Sequence, residues 1–366
     1  MRIAYMLTSL GVGGAERQTV ALAERMAARG HAVSLVVLLP RQAEEWPTAL
    51  DLVHLDMRKT PVSFLGGLGR ARRFLRAFQP ELIHSHTFPA NITARLLSLS
   101  RTAPPLISTI HNVYEGRWPR MAAYRLTDPL SCRVTAVSQA AAERFVRLKA
   151  VSARKCTVLT NGIDTNEFVR DPERRAQLRA RMELRNEFVW LAAGRIMPAK
   201  DYPNLLRAFS LVHAAISGAR LWIAGEAMPV EAEAVQALAN ELGLGSSVRW
   251  LGLRRDMPAL LDAADGFVLA SAWEGMPLAV GEAMAMEKPV VATDVGGVRE
   301  LTGKCGVIVP AKNPERLAEA MLAVMRSAPE TRCALGRAAR ARIQSRFSMD
   351  AKADEWEALY RKELGL

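Results

Sequence analysis

Short apolar runs alternate along this chain with longer amphipathic stretches, and that rhythm predicts a parallel α/β architecture. Residues 2–7 read as a buried strand, followed by the turn Thr-Ser-Leu-Gly-Val-Gly-Gly-Ala-Glu and a helix running to about Arg29, capped by Gly30-His31. Residues 33–39, 82–86, 106–110, 133–137 and 156–159 read as further strands, with Ser138 as a helix N-cap. The turn Asn161-Gly162-Ile163-Asp164 closes this series, and the charged, helix-prone residues 166–187 read as a linker. A second αβ series begins at Phe188, with strands at 189–193, 221–225, 248–251, 266–270, 290–293 and 306–309. The remainder is helical: 313–327, 330–346, and 349–364 behind Ser348.

The densest signal is ADGFVLASAWEGMPLAVGEAMAMEKPVVATDVGGVRE, residues 264–300. It reads strand, turn, helix (279–286), strand: Pro277 stands at a first helical position, Lys288-Pro289 stops the helix, and Gly296-Gly297 turns the chain again. In such a βαβ unit the helix N-terminus faces the carboxyl ends of the strands, where open α/β sheets bind ligands. Glu274 precedes the helix and Glu282 lies about a turn and a half inside it. A lone Glu here is often only a partner for the helix dipole. These two, however, have the small neighbours Gly275, Gly281 and Ala283, which leave room for a ligand. The free N–H groups of the stretch Met276 to Ala279, those of Met276, Leu278 and Ala279 around Pro277, suit an anion. An anion site flanked by two hydroxyl-accepting carboxylates describes a pocket for a nucleotide diphosphate sugar.

Other glycine-rich and basic positions carry weaker signals. The turn after the first strand lacks the third glycine of a dinucleotide fingerprint, and the second strand ends Leu39-Pro40-Arg41 without a ribose-binding acid. There is no Walker A sequence. Arg195, beside Gly194, and Lys200 leave the first strand of the second series, where a guanidinium fork and an ammonium suit phosphate oxygens. Surface solvation is the plain alternative for both.

His84 and His86 are expected to face opposite sides of their strand, which argues against joint metal ligation; His86 is assigned to the site and His84 to the core. His111 ends a strand and precedes Asn112. Residues 113–125, including Arg117 and Trp118, read as an Arg- and aromatic-rich loop suited to an acceptor with phosphate and apolar parts.

These residues resemble retaining glycosyltransferases of family four (glycosyltransferase group one), which have the GT-B fold. Glu274 and Glu282, with seven residues between them, match the paired-glutamate motif, and the sequence around them matches almost continuously. Met276 stands where an aromatic or Leu is more usual. GGAER at 13–17 resembles the first loop of family members that build surface polysaccharides, which implies that Gly13 and Gly14 face the cleft between two domains. TNGIDTNEF resembles the hinge segment, with Thr160 in place of Pro. Gly194-Arg195 and Lys200 match the motif that neutralises the departing diphosphate. Glu226-Ala-Met-Pro replaces a more usual Gly-Asp-Gly-Pro beside the nucleotide.

The resemblance also implies roles. Glu282 would hold the ribose, Glu274 the sugar hydroxyls, and His111 would contact the transferred sugar. It implies retention of configuration by same-face attack, and a last helix that crosses back onto the first domain.

Length and charge refine this picture. At 366 residues, half of them apolar, two sizeable cores are expected. No apolar run approaches the length of a membrane span, and the N-terminus lacks a signal-peptide pattern. Cys132, Cys156, Cys305 and Cys333 have no metal or redox spacing and are expected as reduced, buried thiols in a cytoplasmic protein. Residues 1–165 carry 22 Lys+Arg against 11 Asp+Glu, a net of +11; residues 166–366 carry 27 against 26, a net of +1. A one-sided basic half points to an anionic partner. Residues 66–79 form a basic amphipathic helix candidate, with Leu68, Phe74, Leu75 and Phe78 against Arg70, Arg72, Arg73 and Arg76. It suits either an ordinary solvated face or an anionic bilayer.

The expected architecture is therefore α/β: two facing Rossmann-like domains with a cleft between them. They comprise an acceptor domain (1–165), a linker (166–187), a nucleotide-sugar domain (188–347) and a C-terminal helix (348–366) returning to the first. The expected activity is transfer from a nucleotide diphosphate sugar, a UDP-sugar or GDP-mannose, to a lipid-linked or oligosaccharide acceptor in surface polysaccharide or glycolipid synthesis. No cofactor, metal or nucleic acid is expected, and the enzyme is placed on the inner face of the cytoplasmic membrane. A nucleotide-sugar epimerase would need no acceptor surface, and a nonenzymatic binder would use the basic half to grip nucleic acid.

Overall fold

The computed structural model describes residues 1–11, 13–41, 45–100 and 103–366, so Val12 of the glycine-rich turn lies outside the described residues. The chain divides into two compact units: residues 1–162 with 349–366, and residues 163–348.

The first unit holds seven parallel strands: β1 (Arg2–Leu7), β2 (Ala32–Val37), β3 (Asp51–His54), β4 (Leu82–His86), β5 (Leu106–Ile110), β6 (Arg133–Ala136) and β7 (Cys156–Val158), in the order β3-β2-β1-β4-β5-β6-β7. Its helices are α1 (Gly14–Ala28), α2 (Pro61–Phe78), α3 (Phe88–Leu97), α4 (Trp118–Thr127) and α5 (Gln139–Arg147). The apolar run of β1 is continuous because both faces of a parallel sheet are covered. Ile3, Tyr5 and Leu7 pack in one core with Val20, Leu22 and Trp356, while Ala4 and Met6 pack in another with Leu68 and Ala90.

The second unit repeats the plan with β8 (Phe188–Ala193), β9 (Ala219–Ala224), β10 (Val248–Gly252), β11 (Gly266–Leu269), β12 (Val290–Thr293) and β13 (Val307–Val309), all parallel, in the order β10-β9-β8-β11-β12-β13. Its helices are α6 (Pro172–Arg181), α7 (Tyr202–Ala215), α8 (Pro229–Glu241), α9 (Met257–Ala263), α10 (Leu278–Ala285), α11 (Val298–Thr302), α12 (Pro314–Arg326) and α13 (Pro329–Arg346). Trp190, Phe209, Leu221, Val268 and Met321 meet in its core. The last helix, α14 (Met349–Leu364), belongs to the first unit: Tyr360 and Trp356 are buried there, and Arg25 pairs with Asp350 at 2.8 Å.

Four expectations change. The stretch 166–187 is a folded part of the second unit rather than a linker. Asp171 caps α6, and three of that helix's four arginines pair with carboxylates: Arg174 with buried Asp262, Arg175 and Arg179 with Asp265. The stretch 113–125 is a loop only to Arg117; Pro119 opens α4 and Tyr124 is buried beneath it. The basic helix starts earlier than residue 66, at Pro61, because Thr60 caps the Ser63 N–H. Finally, Cys333 is exposed and Cys132, Cys156 and Cys305 are half-buried, so the thiols are not fully buried.

Candidate active site

In an open parallel sheet, adjacent strands whose connections run opposite ways leave a crevice at their carboxyl ends. In the second unit that point lies between β8 and β11. Lys200, ending a short 3-10 turn after β8, places Nζ 2.5 Å from Oε1 of Glu274, which follows β11. Ser271 Oγ donates to the same carboxylate oxygen at 2.7 Å. A cation from one half of the sheet thus meets a carboxylate from the other at the switch point.

The surrounding loops are laced together through their backbones. Ala272 N–H donates to Ala199 O at 2.8 Å, Gly297 N–H to Gly275 O at 2.7 Å, and Tyr202 Oη to Gly194 O at 2.6 Å. Burial and the Glu274 charge push the Tyr202 phenol up, keeping it a neutral donor. Gly296 has φ +53°, and a Cβ there would lie 2.1 Å from the Glu274 carbonyl oxygen. Only glycine lets that loop press so closely on the one carrying Glu274. The Lys200 stem lies against Gly194, where an added Cβ would come within 2.7 Å of Cε.

Arg195 and Lys200 leave the same strand but differ in setting. Arg195 is exposed and makes no ion pair with any described residue, whereas Lys200 is half-buried and paired. Helix α10 follows Glu274, the partner of Lys200. Pro277 occupies its N-cap in extended conformation, no side chain caps it, and its first-turn N–H groups have no acceptors within the helix. Gly275, Met276 and Pro277 are buried, while Leu278 and Ala279 are half-buried. Glu282 is buried within the helix. The expectation that Gly281 leaves room for a ligand is corrected: a Cβ there would lie 2.6 Å from Ile163 Cδ1, so the glycine serves packing.

In the first unit the switch point lies between β1 and β4. Thr8 Oγ1 and Thr87 Oγ1 hydrogen-bond across it at 2.7 Å. Gly13 is the N-cap of α1 and Gly14 its first residue. His86 ends β4, and its Nδ1 lies 2.9 Å from Nε2 of His111, just past β5. The expectation that His84 and His86 face opposite sides is corrected: residues two apart on a strand share a face, and the rings are 4.0 Å apart. His84 is held in the core by Tyr360 Oη and Thr109 Oγ1, each at 2.7 Å. Asn112 Oδ1 accepts the Tyr114 N–H at 3.2 Å, and Arg117 and Trp118 are exposed at the start of α4. Among the described residues no group of three or more His, Cys, Asp or Glu is arranged to hold a metal ion.

Burial lowers the pKa of His84 and His86 well below the usual histidine value and that of His111 to about 4. The unfolded chain therefore takes up protons below about pH 6.5 that the folded unit refuses, and stability falls as pH falls. Calorimetry from pH 7 to 4 is expected to show the first unit losing up to about 1.4 kcal/mol per pH unit for each such histidine. A His84→Gln variant is expected to have a shallower slope; an unchanged slope would contradict the assignment.

Comparison with known proteins places the chain. Residues 12–167 match the profile of Glycosyltransferase Family 4, and residues 187–327 match that of Glycosyl transferases group 1. A D-inositol 3-phosphate glycosyltransferase of Segniliparus rotundus is 31% identical over 321 residues, covering 82% of this chain and 70% of that one. The chain belongs to glycosyltransferase family 4. Another relative of this family 4 enzyme is the UDP-Gal:alpha-D-GlcNAc-diphosphoundecaprenol alpha-1,3-galactosyltransferase of Escherichia coli, 25% identical over 240 residues, 62% of this chain and 60% of that one. The fold is GT-B. The crystal structure of Anabaena HepE in complex with UDP-glucose superimposes with a TM-score of 0.85 at 21% identity, covering 98% of this chain and 99% of that one. Membership selects a transferase over the epimerase and the nonenzymatic binder.

Sequence reasoning placed Lys200 and Glu274 in the site but missed that they pair. It also missed Ser271 and Tyr202, which carry no motif and are found only through their contacts.

Proposed function

We propose that this enzyme transfers a sugar, with retention of configuration, from a nucleotide diphosphate sugar to a lipid-linked or oligosaccharide acceptor, using no metal ion. A UDP-sugar is the favoured donor, with GDP-mannose second. The observation that carries the reading is the Lys200–Glu274 pair at the switch point beside the uncapped start of α10. The UDP-Gal and diphosphoundecaprenol in the name of the Escherichia coli relative support the donor and acceptor classes.

The step breaks the bond between the anomeric carbon and the diphosphate oxygen and joins that carbon to an acceptor hydroxyl oxygen. The hydroxyl proton passes to the leaving diphosphate. Arg195, Lys200 and the first-turn N–H groups of α10 stabilise the charge that develops on the diphosphate, which is the main electrostatic task. The hydrogen bonds that Lys200 and Ser271 give Glu274 both fall on Oε1, and Oε2 is assigned to a sugar hydroxyl. Glu282 is assigned to the ribose, and Gly13 and Gly14 to the donor. His111 meets the transferred sugar, with His86, Asn112, Arg117 and Trp118 on the acceptor side. UDP release from UDP-glucose, UDP-galactose and UDP-N-acetylglucosamine, with a synthetic polyprenyl-diphosphate sugar as acceptor, tests the reading. Product with the donor's anomeric configuration supports it, and EDTA is expected to leave the rate unchanged. Inversion, or a rate that EDTA abolishes and magnesium restores, would contradict it.

Peripheral attachment to an anionic membrane is the companion proposal. Among the described residues no helix is long and apolar enough to cross a membrane. Helices α2 and α4 both pack beside α3, and each exposes apolar side chains among arginines. These are Val62 and Leu65 with Arg72, Arg73 and Arg76, and Trp118 and Leu126 with Arg117, Arg120 and Arg125. Each cation near an anionic surface contributes about 1 kcal/mol. Liposome flotation is expected to require anionic lipid, to weaken with salt, and to be lost when Arg72, Arg73 and Arg76 become Glu. Absence of binding to every lipid mixture would exclude the attachment.

A further inference from the structure

The segment after β5 is held by a residue that the functional reading leaves unused. Strand β5 pairs with β6 only as far as Ile110, so the His111 N–H is the first one past the ladder. It donates to Oε1 of Glu115 at 3.1 Å, a side chain reaching four residues back along its own loop. The other carboxylate oxygen accepts from Tyr124 Oη at 2.6 Å. Tyr124 is fully buried on α4 and accepts in turn from Asn91 Nδ2 at 3.0 Å; the same amide reaches Thr109 O on β5 at 2.9 Å. Arg95, also fully buried, donates to Tyr124 O at 3.1 Å and lies over its ring. Arg120 donates to the Glu115 backbone carbonyl, not to the carboxylate.

A neutral acceptor would satisfy one backbone N–H and one phenol. The chain instead keeps a carboxylate with no ion-pair partner among the described residues, and burial pushes its pKa up. What the carboxyl group adds is direction, since its two oxygens, splayed from one carbon, accept from the loop N–H and from the phenol at once. Both its oxygens are committed, one to the loop and one to the rigid core under α4.

We propose that Glu115 is a positioning residue: anchored by Tyr124, its carboxylate fixes the backbone at His111 so that the His111 imidazole meets the transferred sugar. This rests on the placement of the sugar at His111, and the two are separable by experiment. Misplacing a group at the reacting centre costs up to about 100-fold. Glu115→Leu is therefore expected to lower kcat for UDP release by about 10- to 100-fold, while the KM for the UDP-sugar, held by the second unit, stays within about 2-fold. Glu115→Gln keeps an amide oxygen for the His111 N–H and is expected to restore kcat to within about 3-fold of wild type. Tyr124→Phe removes the anchor without changing shape and is expected to fall between, with donor KM again unmoved; it decides the matter if Glu115→Leu fails to fold.

His111→Ala is measured alongside. An unaffected kcat in that variant removes the sugar contact and the Glu115 proposal with it. A large loss in His111→Ala combined with unchanged kcat in folded Glu115→Leu, or in Tyr124→Phe, overturns the positioning role alone. A rise in donor KM equal to the fall in kcat/KM does the same.

Discussion

Arg195→Ala and Lys200→Ala are each expected to lower kcat by about 2–4 kcal/mol of transition-state stabilisation, roughly 30- to 1000-fold. The charge they meet grows as the anomeric bond breaks, so the loss falls on kcat more than on donor KM. Their stabilities should differ. Arg195 is exposed and unpaired among the described residues, so its removal leaves the fold untouched. Lys200 neutralises a Glu274 that is only 8% exposed, and Lys200→Ala leaves that carboxylate with Ser271 as its hydrogen-bond donor. A lower melting temperature is therefore expected for Lys200→Ala alone, corresponding to about 1–3 kcal/mol. Steady-state kinetics beside thermal melts check both statements, and activity within a few-fold of wild type in either variant would remove the diphosphate from this position.

The two glutamates are expected to separate by role. Glu274 meets Lys200 where the sugar and its leaving group part, so Glu274→Ala should lower kcat by about 100-fold, the size seen when one preorganised contact to a transition state is lost. Glu282 lies further along, buried inside α10, and a ribose contact is alike in ground and transition states. Glu282→Ala should mainly raise the donor KM, by about 10-fold or more. Initial-rate measurements over a range of donor concentrations distinguish the roles, and the reverse pattern would exchange them.

The sheets were legible in the sequence because parallel strands, buried on both faces, are uninterrupted apolar runs, and β1, β4, β5, β8 and β12 stand close to where those runs lie. β3 went unread because Asp51–His54 is half polar and sits at the sheet edge. The paired glutamates were legible through the residues around them. What stayed hidden depends on partners far along the chain. Arg174, Arg175 and Arg179 look like a solvated linker until Asp262 and Asp265 are seen beside them, and nothing in the sequence shows that Lys200 pairs with Glu274, 2.5 Å away. Gly281 looked like space because the sequence does not show Ile163 filling it.

The central claim is that a nucleoside diphosphate sits on the loop after β8 and the start of α10. Amide hydrogen exchange with and without saturating UDP tests it most directly. Slowed exchange is expected in residues 194–200 and 275–282. UDP that binds by calorimetry yet leaves both segments unchanged, or protects only residues 1–162, would contradict it.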